Sequence, residues 1–365
     1  MTASRNGRPP RAAHQAAGST AGDTRRVTIQ DVAREAGVSM SAVSKVLRDA
    51  YGVSDSMRAK VNSAIETLDY RPNASARAMR GRSYTLGVML VEMSSPFQSQ
   101  VVDGISQEVA PTPYQEVLIA SGTEPERQKR CIEALVDRQV DGLIVIAPWT
   151  STEWLEKLGA RMPMVVLARH GGATNFDTVV NDDFEGARLM VEHLVAAGHR
   201  RIVHTGPTAG GLTRPFVLSH TVRRDGYEDA MRRHGLEPDV IVAEYTEEGG
   251  YAAACEALDR PIPPTAIFAG ADISALGVLR AAEERGVRVP DDLSVAGYDN
   301  IYASTIGRVS LTTIDQSARL TGARSARLLL ERIKGRTQPV QYMIAPRLVA
   351  RSTTAPPRQG RGTEA

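Results

Sequence analysis

The residues near the start of the chain that are best suited to do chemistry are Met40, Ser41, Ser44 and Lys45. Two hydroxyls, an amine and a thioether this close together form no catalytic set. They can, however, hydrogen-bond to base edges and phosphate oxygens and offer apolar contact to a thymine methyl. Elsewhere the chain holds seven histidines, among them His193, His199 and His204, scattered over expected helices, turns and strands. No Gly-rich phosphate loop or nucleophile elbow is present. The two cysteines, Cys131 and Cys255, lie inside helical patterns with no Cys or His at metal spacing, which points to buried free thiols. Catalysis is not expected, and neither is a metal or a cofactor.

The elements that must position those four side chains can be read from the run Val27 to Leu47. Thr28 caps a first helix, with Asp31 three residues on as the acid of a capping box. Ile29, Val32, Ala33 and Ala36 then fall on one face of that helix. Gly37 supplies the positive φ of a tight turn, and Val38 packs inward. Ser39 caps a second helix whose Val43, Val46 and Leu47 face the core, leaving Met40, Ser41, Ser44 and Lys45 outward on its first turns. That is the part of a recognition helix that meets base edges in the major groove. An αα-hairpin of a helical bundle would show a similar pattern, but the local charge favours the nucleic-acid reading. A third helix starts at Ser54 and ends at Tyr70-Arg-Pro-Asn73, since Pro72 disfavours helix at Arg71.

Charge is distributed unevenly. The net charge of the 365 residues is only +2, yet residues 1–84 hold 14 Lys and Arg against 7 Asp and Glu, and the remainder is acidic on balance. A basic head on an acidic body suits a polyanion-binding module joined to a different module. The apolar runs, such as Gly142 to Ile146, are far shorter than the roughly 20 residues that span a bilayer. With no apolar segment near Met1, neither a membrane span nor a secretory signal is expected, and the cytoplasm is the expected location.

Five segments follow from composition. Residues 1–26 read as a disordered basic arm, 27–70 as a helix-turn-helix domain, 71–84 as a connector, 85–354 as a long α/β body, and 355–365 as a disordered tail. In the body, expected strands at 84–91, 116–120, 142–146 and 164–167 alternate with helices at 97–109, 126–138 and 152–159. A second series places strands at 201–205, 240–243, 266–269 and 293–297 among helices at 184–197, 223–234, 249–258 and 273–285. Such alternation means βαβ units, hence two parallel sheets, two lobes, and a cleft at the carboxyl ends of their strands.

The run Val27 to Leu47, the Val53-Ser54 helix start and Tyr70 to Met79 resemble the head of the lactose-repressor (LacI/GalR) family. The likeness continues through Ser95-Pro-Phe97, Glu124 to Gln128, Val191 to Leu194, Gly198 to Ile202, Gly226-Tyr227, Leu276-Gly277, Ser294 to Asp299, Leu311 to Gln316 and Arg351 to Thr353. The resemblance implies a helical head joined to a two-lobed body of the periplasmic-binding-protein kind. It implies a transcriptional regulator, by default a repressor, that binds a pseudo-palindromic double-stranded operator as a homodimer. Thr28, Ser39, Met40, Ser41, Ser44 and Lys45 would then contact DNA, Ser39 and Ser44 at phosphates. Asn73 to Arg80 would form a hinge helix in the minor groove, using Asn73 and Ala76, with Met79 as the apolar wedge where leucine is usual.

For the body the resemblance implies a small-molecule effector, with a sugar as one candidate, bound by Arg223, Asp299 and Gln316. Arg223 could equally form a surface ion pair. Phe97 and Trp149 could stack on the ligand or serve as core residues. Ala271 stands where sugar-binding members often carry Asn, and Ala168 where Asp often precedes Arg169, so a pocket less polar than a typical sugar site is expected. A non-sugar metabolite or a protein partner is therefore the alternative. A periplasmic binding protein would share the body but lack the basic head.

Overall fold

The computed structural model describes residues 27–47, 51–70, 82–207 and 216–358. The chain divides into two compact units, Met1–Ala76 and Arg77–Ala365. The connector residues Asn73, Ala76 and Met79, and the arm at 1–26, lie outside the described residues.

In the first unit, helix α1 (Ile29–Ala36) opens on the expected capping box. Asp31 N donates to Thr28 Oγ1 while Thr28 N donates to Asp31 Oδ2 at 2.9 Å. Gly37 takes φ 64° and closes the helix, and α2 (Met40–Leu47) follows with Ala42 N donating to Ser39 Oγ at 3.2 Å. Helix α3 (Asp55–Thr67), capped by Ser54, supplies the third wall. Val32, Val43 and Val61 are fully buried where the three helices meet.

The second unit contains two parallel sheets. In lobe 1, β1 (Thr85–Leu90), β2 (Gln115–Ala120), β3 (Gly142–Ile146), β4 (Met164–Leu167), β6 (Asp177–Asn181) and β13 (Gln341–Ile344) lie in the order β13-β6-β4-β3-β1-β2. In lobe 2, β7 (Ile202–Gly206), β9 (Asp239–Val242), β10 (Ala266–Ala269) and β11 (Ser294–Ala296) lie in the order β11-β10-β7-β9. All neighbours in both sheets are parallel. The period-two alternation explains the unbroken apolar runs. Leu86, Val88, Ile144 and Ile146 enter the core on one face, and Met89, Leu143 and Val145 enter that on the other. Fully burying each such side chain contributes about 1.5–3 kcal/mol.

The helices α4 (Pro96–Val109), α5 (Pro125–Asp137) and α6 (Thr152–Gly159) cover lobe 1, and α7 (Asp183–Ala196), α8 (Ser219–Arg233), α9 (Glu247–Leu258) and α10 (Asp272–Glu284) cover lobe 2. One further long helix, α11 (Ala318–Ile333), returns to lobe 1 and packs on α4. The approach is close because Gly104 and Gly322 face it: a Cβ at either would overlap the carbonyl of Arg319 or of Val101. Arg327 pairs with Glu108 at 2.9 Å beside this seam.

The eight expected strands are all present. The strands β6 and β13 and the helix α11 were not expected from the sequence, and α8 begins at Ser219 rather than at 223. Two antiparallel pairs add to the parallel sheets, β5 (Arg169–His170) with β8 (Val217–Leu218) and β12 (Thr313–Asp315) with β14 (Arg347–Val349). The chain passes between lobes at Asn181–Asp183, at Gln316–Ser317 and between β13 and β14. The body also starts earlier than expected: Ser83 N and Tyr84 N donate to the two carboxylate oxygens of Asp141, each at 2.8 Å. The tail expected from 355 is fastened through 358, since Ala355 N donates to Ser294 Oγ at 3.0 Å and Arg358 pairs with Asp292. Cys131 and Cys255 are free and only half-buried, not fully buried.

Candidate functional site

Two places gather the chemistry. In the first unit, Met40, Ser41 and Lys45 project from α2 and are exposed, Met40 at 52%. Ser44 is half-buried beside them. Ser39 Oγ lies 2.8 Å from Ser41 Oγ and already accepts the Ala42 amide, so the hydroxyl keeps a proton that it can donate. Thr28 donates its hydroxyl to Asp31 at 2.7 Å, which makes it first a helix cap. The face is short, polar and cationic, with no carboxylate among its outward residues 40, 41, 44 and 45.

The second place is a cleft of about 400 Å³ between the lobes, and Phe97, Trp149, Arg223, Asp299 and Gln316 all line it. Its walls come from carboxyl ends of strands, as in other open α/β sheets. Phe97 arrives on the first turn of α4, which Ser95 caps and Pro96 starts. Trp149 follows β3, and its amide is held by the fully buried Gln128, whose Oε1 accepts it at 2.6 Å. The Trp149 ring stacks on His220 with centroids 5.8 Å apart.

Arg223 projects from α8 and is 4% exposed, which rules out the surface ion pair. Its Nη2 donates to Asp183 at 2.7 Å, its Nη1 donates to the Gly270 carbonyl, and its Cζ lies 3.6 Å from the centre of the Tyr298 ring. Asp183 is fully buried. Burial would raise its carboxyl, but Arg223 and hydrogen bonds from His170, Ser219 and Arg223 prevail and hold it below the ordinary range. His170 Nε2 sits 3.2 Å from Asp183 Oδ2, and His170 belongs to β5, the strand that pairs across to β8.

Asp299 behaves oppositely. Burial and the neighbouring Asp272 carboxyl push its carboxyl well above the ordinary range, although Arg223 and the amide of Gln316, which donates to Oδ1, oppose the shift. A protonated Asp299 can donate as well as accept. Burial also raises the Tyr245 hydroxyl, to about 12, beside Arg223 at 3.4 Å.

Sequence reasoning missed Asp183, Asn181, Tyr245, Gln128 and His220. Ala168 and Ala271 line the cleft together with Ile146, Leu167 and Leu218, beside polar residues that include Glu92, Gln98, Asn181, Glu244 and Thr246. Arg169, next to Ala168, turns away: its Nη1 donates to the carbonyls of Pro148 and Thr150, at 3.0 and 2.7 Å. Burial lowers its guanidinium to about 10. Ala147, Ala168 and Asp299 line the cleft with positive φ of 46°, 54° and 129°. Strained backbone of this kind collects at ligand sites, where surrounding structure holds it.

Residues 28–73 match the bacterial regulatory proteins of the lacI family, and residues 191–354 match a periplasmic binding protein-like domain. Catabolite control protein A of Priestia megaterium is 35% identical over 308 residues, which cover 83% of this chain and 91% of that protein. The chain belongs to the lacI family. The HTH-type transcriptional repressor PurR of Edwardsiella ictaluri is 33% identical over 338 residues, covering 90% of this chain and 97% of the repressor. Among solved structures, the lac repressor dimer bound to operator and the anti-inducer ONPF superposes with a TM-score of 0.77 at 30% identity. It covers 91% of this chain and 100% of that one. As a lacI-family protein the chain is a DNA-binding transcriptional regulator with a helix-turn-helix head, and its relatives are regulators, not enzymes. Among the described residues no helix is long and apolar enough to cross a membrane, and no group of three or more His, Cys, Asp and Glu could hold a metal ion.

Proposed function

We propose that this lacI-family protein represses transcription as a homodimer on a pseudo-palindromic operator, under the control of a small molecule in the interlobe cleft. The observation that carries the reading is the pairing of an exposed Met40, Ser41 and Lys45 face on α2 with a strand-end cleft built around Arg223 and Asp299. Lys45 reaches guanine acceptors or a phosphate, Ser41 bonds a base edge, and Met40 touches a thymine methyl. Ser39 and Ser44 hold phosphates. Two copies related by a two-fold axis read two half-sites, as in the lac repressor dimer on its operator.

Ligand binding has a route to the DNA end. Asn181 and Gln316 line the cleft and also sit where the chain crosses between lobes. A ligand that prefers one lobe angle shifts the population toward it. Lobe 1 takes up the chain from the head at Ser83 and Tyr84, which Asp141 clasps. The connector is therefore attached to a part that moves with the cleft. The test is to sequence the duplexes retained by the full chain from a random pool. An enriched inverted repeat is expected, and a pool that remains random would remove the operator reading.

A further inference from the structure

Lobe 1 carries a second cavity, of about 310 Å³, that shares no lining residue with the interlobe cleft. It is lined by the loop after α6, from Arg161 to Pro163, by Asn175, and by the end of α11 with the loop that follows, from Arg332 to Thr337. Pro163 and Asn175 precede the amino ends of β4 and β6, whereas Leu167 and Asn181, which line the cleft, close the carboxyl ends of the same strands. Three of the lining residues, Arg161, Arg332 and Arg336, are cations and none is an acid.

The positive charge exceeds what the protein itself answers. The fully buried Asp177 accepts from both Nη1 and Nη2 of Arg336 and, at 2.9 Å, from Val340 N. Arg336 directs its other hydrogen bonds to Glu331 and to the carbonyls of Leu328 and Gln338. Arg332 is left over. Its side chain is 8% exposed, its Nε lies 3.1 Å from Asp177 Oδ1 but out of line for a hydrogen bond, and Nε and Nη2 are buried with no partner. Among the described residues nothing accepts a hydrogen bond from this guanidinium, which leaves Nη1 as the nitrogen open to the cavity. Nor does α11 need Arg332 as a cap: the carbonyls of Leu330, Glu331, Arg332 and Ile333 already accept from Lys334 N, Arg336 N, Gly335 N and Arg82 Nη2. Arg161 is exposed and, among the described residues, has neither an ion pair nor a side-chain hydrogen bond. A guanidinium held out of water without a hydrogen-bonded counter-charge is unfavourable, so the cavity gains from an anion. A tetrahedral dianion offers several acceptors to two guanidinium groups at once, where a carboxylate offers one charge. The volume sits near the lower bound of about 300 Å³ for small-molecule sites, which suits a small ligand.

We propose that this cavity is a second ligand site, which takes a phosphate group, free or as the phosphomonoester of a small metabolite, on Arg161, Arg332 and the hydroxyl of Thr337. Because β1, β3, β4 and β6 run parallel, the site lies at the same end of lobe 1 as the start of β1, where the chain arrives from the connector. Arg82, in that arriving segment, donates to the Ile333 carbonyl at 2.9 Å, one residue from Arg332. A bound phosphate ties the end of α11 to the loop after α6 beside this entry, an input separate from the cleft. The inference needs no ligand in the cleft and no contact made by the head.

The test is calorimetric titration of the full chain with inorganic phosphate, glycerol 3-phosphate and acetate at one ionic strength. Saturable binding of inorganic phosphate is expected, with acetate weaker by about tenfold or more. Tighter binding of glycerol 3-phosphate than of phosphate identifies the ester as the natural form, and the reverse identifies the free ion. Arg161→Gln, at an exposed side chain that the fold does not use, should weaken phosphate by about tenfold or more, the loss of a charge-assisted hydrogen bond. Arg332→Gln should do the same, while Lys45→Ala on the DNA-binding face should leave phosphate binding unchanged. No saturation by either phosphate compound overturns the proposal, as does acetate binding as tightly as phosphate. Phosphate binding that survives Arg161→Gln but is lost in Lys45→Ala places the anion on the head and overturns it too. So does an Arg161→Gln variant that loses duplex affinity in a chain that takes up no free phosphate, since the arginines would then serve the DNA backbone.

Discussion

Asp183→Asn isolates the element that makes the cleft possible. The substitution keeps the shape of the side chain and removes the charge facing Arg223, in a pair whose side chains are 0% and 5% exposed. Breaking a buried pair by neutralising one member costs about 3–5 kcal/mol, because the remaining charge stays desolvated. Arg223 keeps the Gly270 carbonyl and the Tyr298 ring, so the low end, about 3 kcal/mol, is expected. At about 2–4 °C per kcal/mol for a large domain, the thermal midpoint should fall by about 6–12 °C in a calorimetric scan. A double-mutant cycle with Arg223→Met should return a coupling of about 2–3 kcal/mol, since removing both charges leaves neither stranded. A coupling below about 0.5 kcal/mol would refute the reasoning, because Asp183 would then not be what neutralises the arginine.

Three further outcomes follow from particular residues. Lys45→Ala should weaken operator binding by about 1–3 kcal/mol and relax preference at one position if the amine reads a base, or weaken all duplexes alike if it holds phosphate; anisotropy across operator variants separates the two. Gly322→Ala should destabilise lobe 1 by about 1–3 kcal/mol in denaturant unfolding, since the methyl would overlap the Val101 carbonyl in the α4–α11 seam. Acid should destabilise lobe 2 through His204, which is 1% exposed and which burial lowers to about 3. Its folded value lies below the unfolded value near 6.5, so the stabilisation is complete above about pH 6.5. It falls by about 1.4 kcal/mol per unit as the pH drops toward 3. His193 and His199 are lowered by burial as well and act in the same direction, and His204→Phe should flatten the slope between pH 6.5 and 4.

The helical head was legible in the sequence because its signals are local: Thr28 and Asp31, Gly37 and Ser39 all act within three residues of their partners. The same holds for the central strands, whose two buried faces leave continuous apolar runs. The strand β13, Gln341-Tyr-Met-Ile344, sits at a sheet edge and is half exposed, so it carries no such run. The first half of α11 buries Ala318, Thr321, Gly322 and Ser325, small residues that give no apolar stripe, because close packing on α4 replaces bulk with proximity. In the cleft, Arg223, Asp299 and Gln316 were reached through family resemblance. Asp183 was not, because it meets Arg223 across 40 positions of chain and reads locally as one more acid at a helix start. Positive φ at Ala147 and Ala168 is equally silent, since nothing about alanine announces it.

The central claim is that two copies of the α2 face read two half-sites held at a fixed spacing. The most direct measurement is the affinity of the full chain for its selected duplex before and after five base pairs are inserted between the half-sites. Half a helical turn puts the second half-site on the wrong side of the duplex, and affinity should fall toward the non-specific level, a loss of about 10³-fold or more. Undiminished affinity for the lengthened duplex would contradict the account.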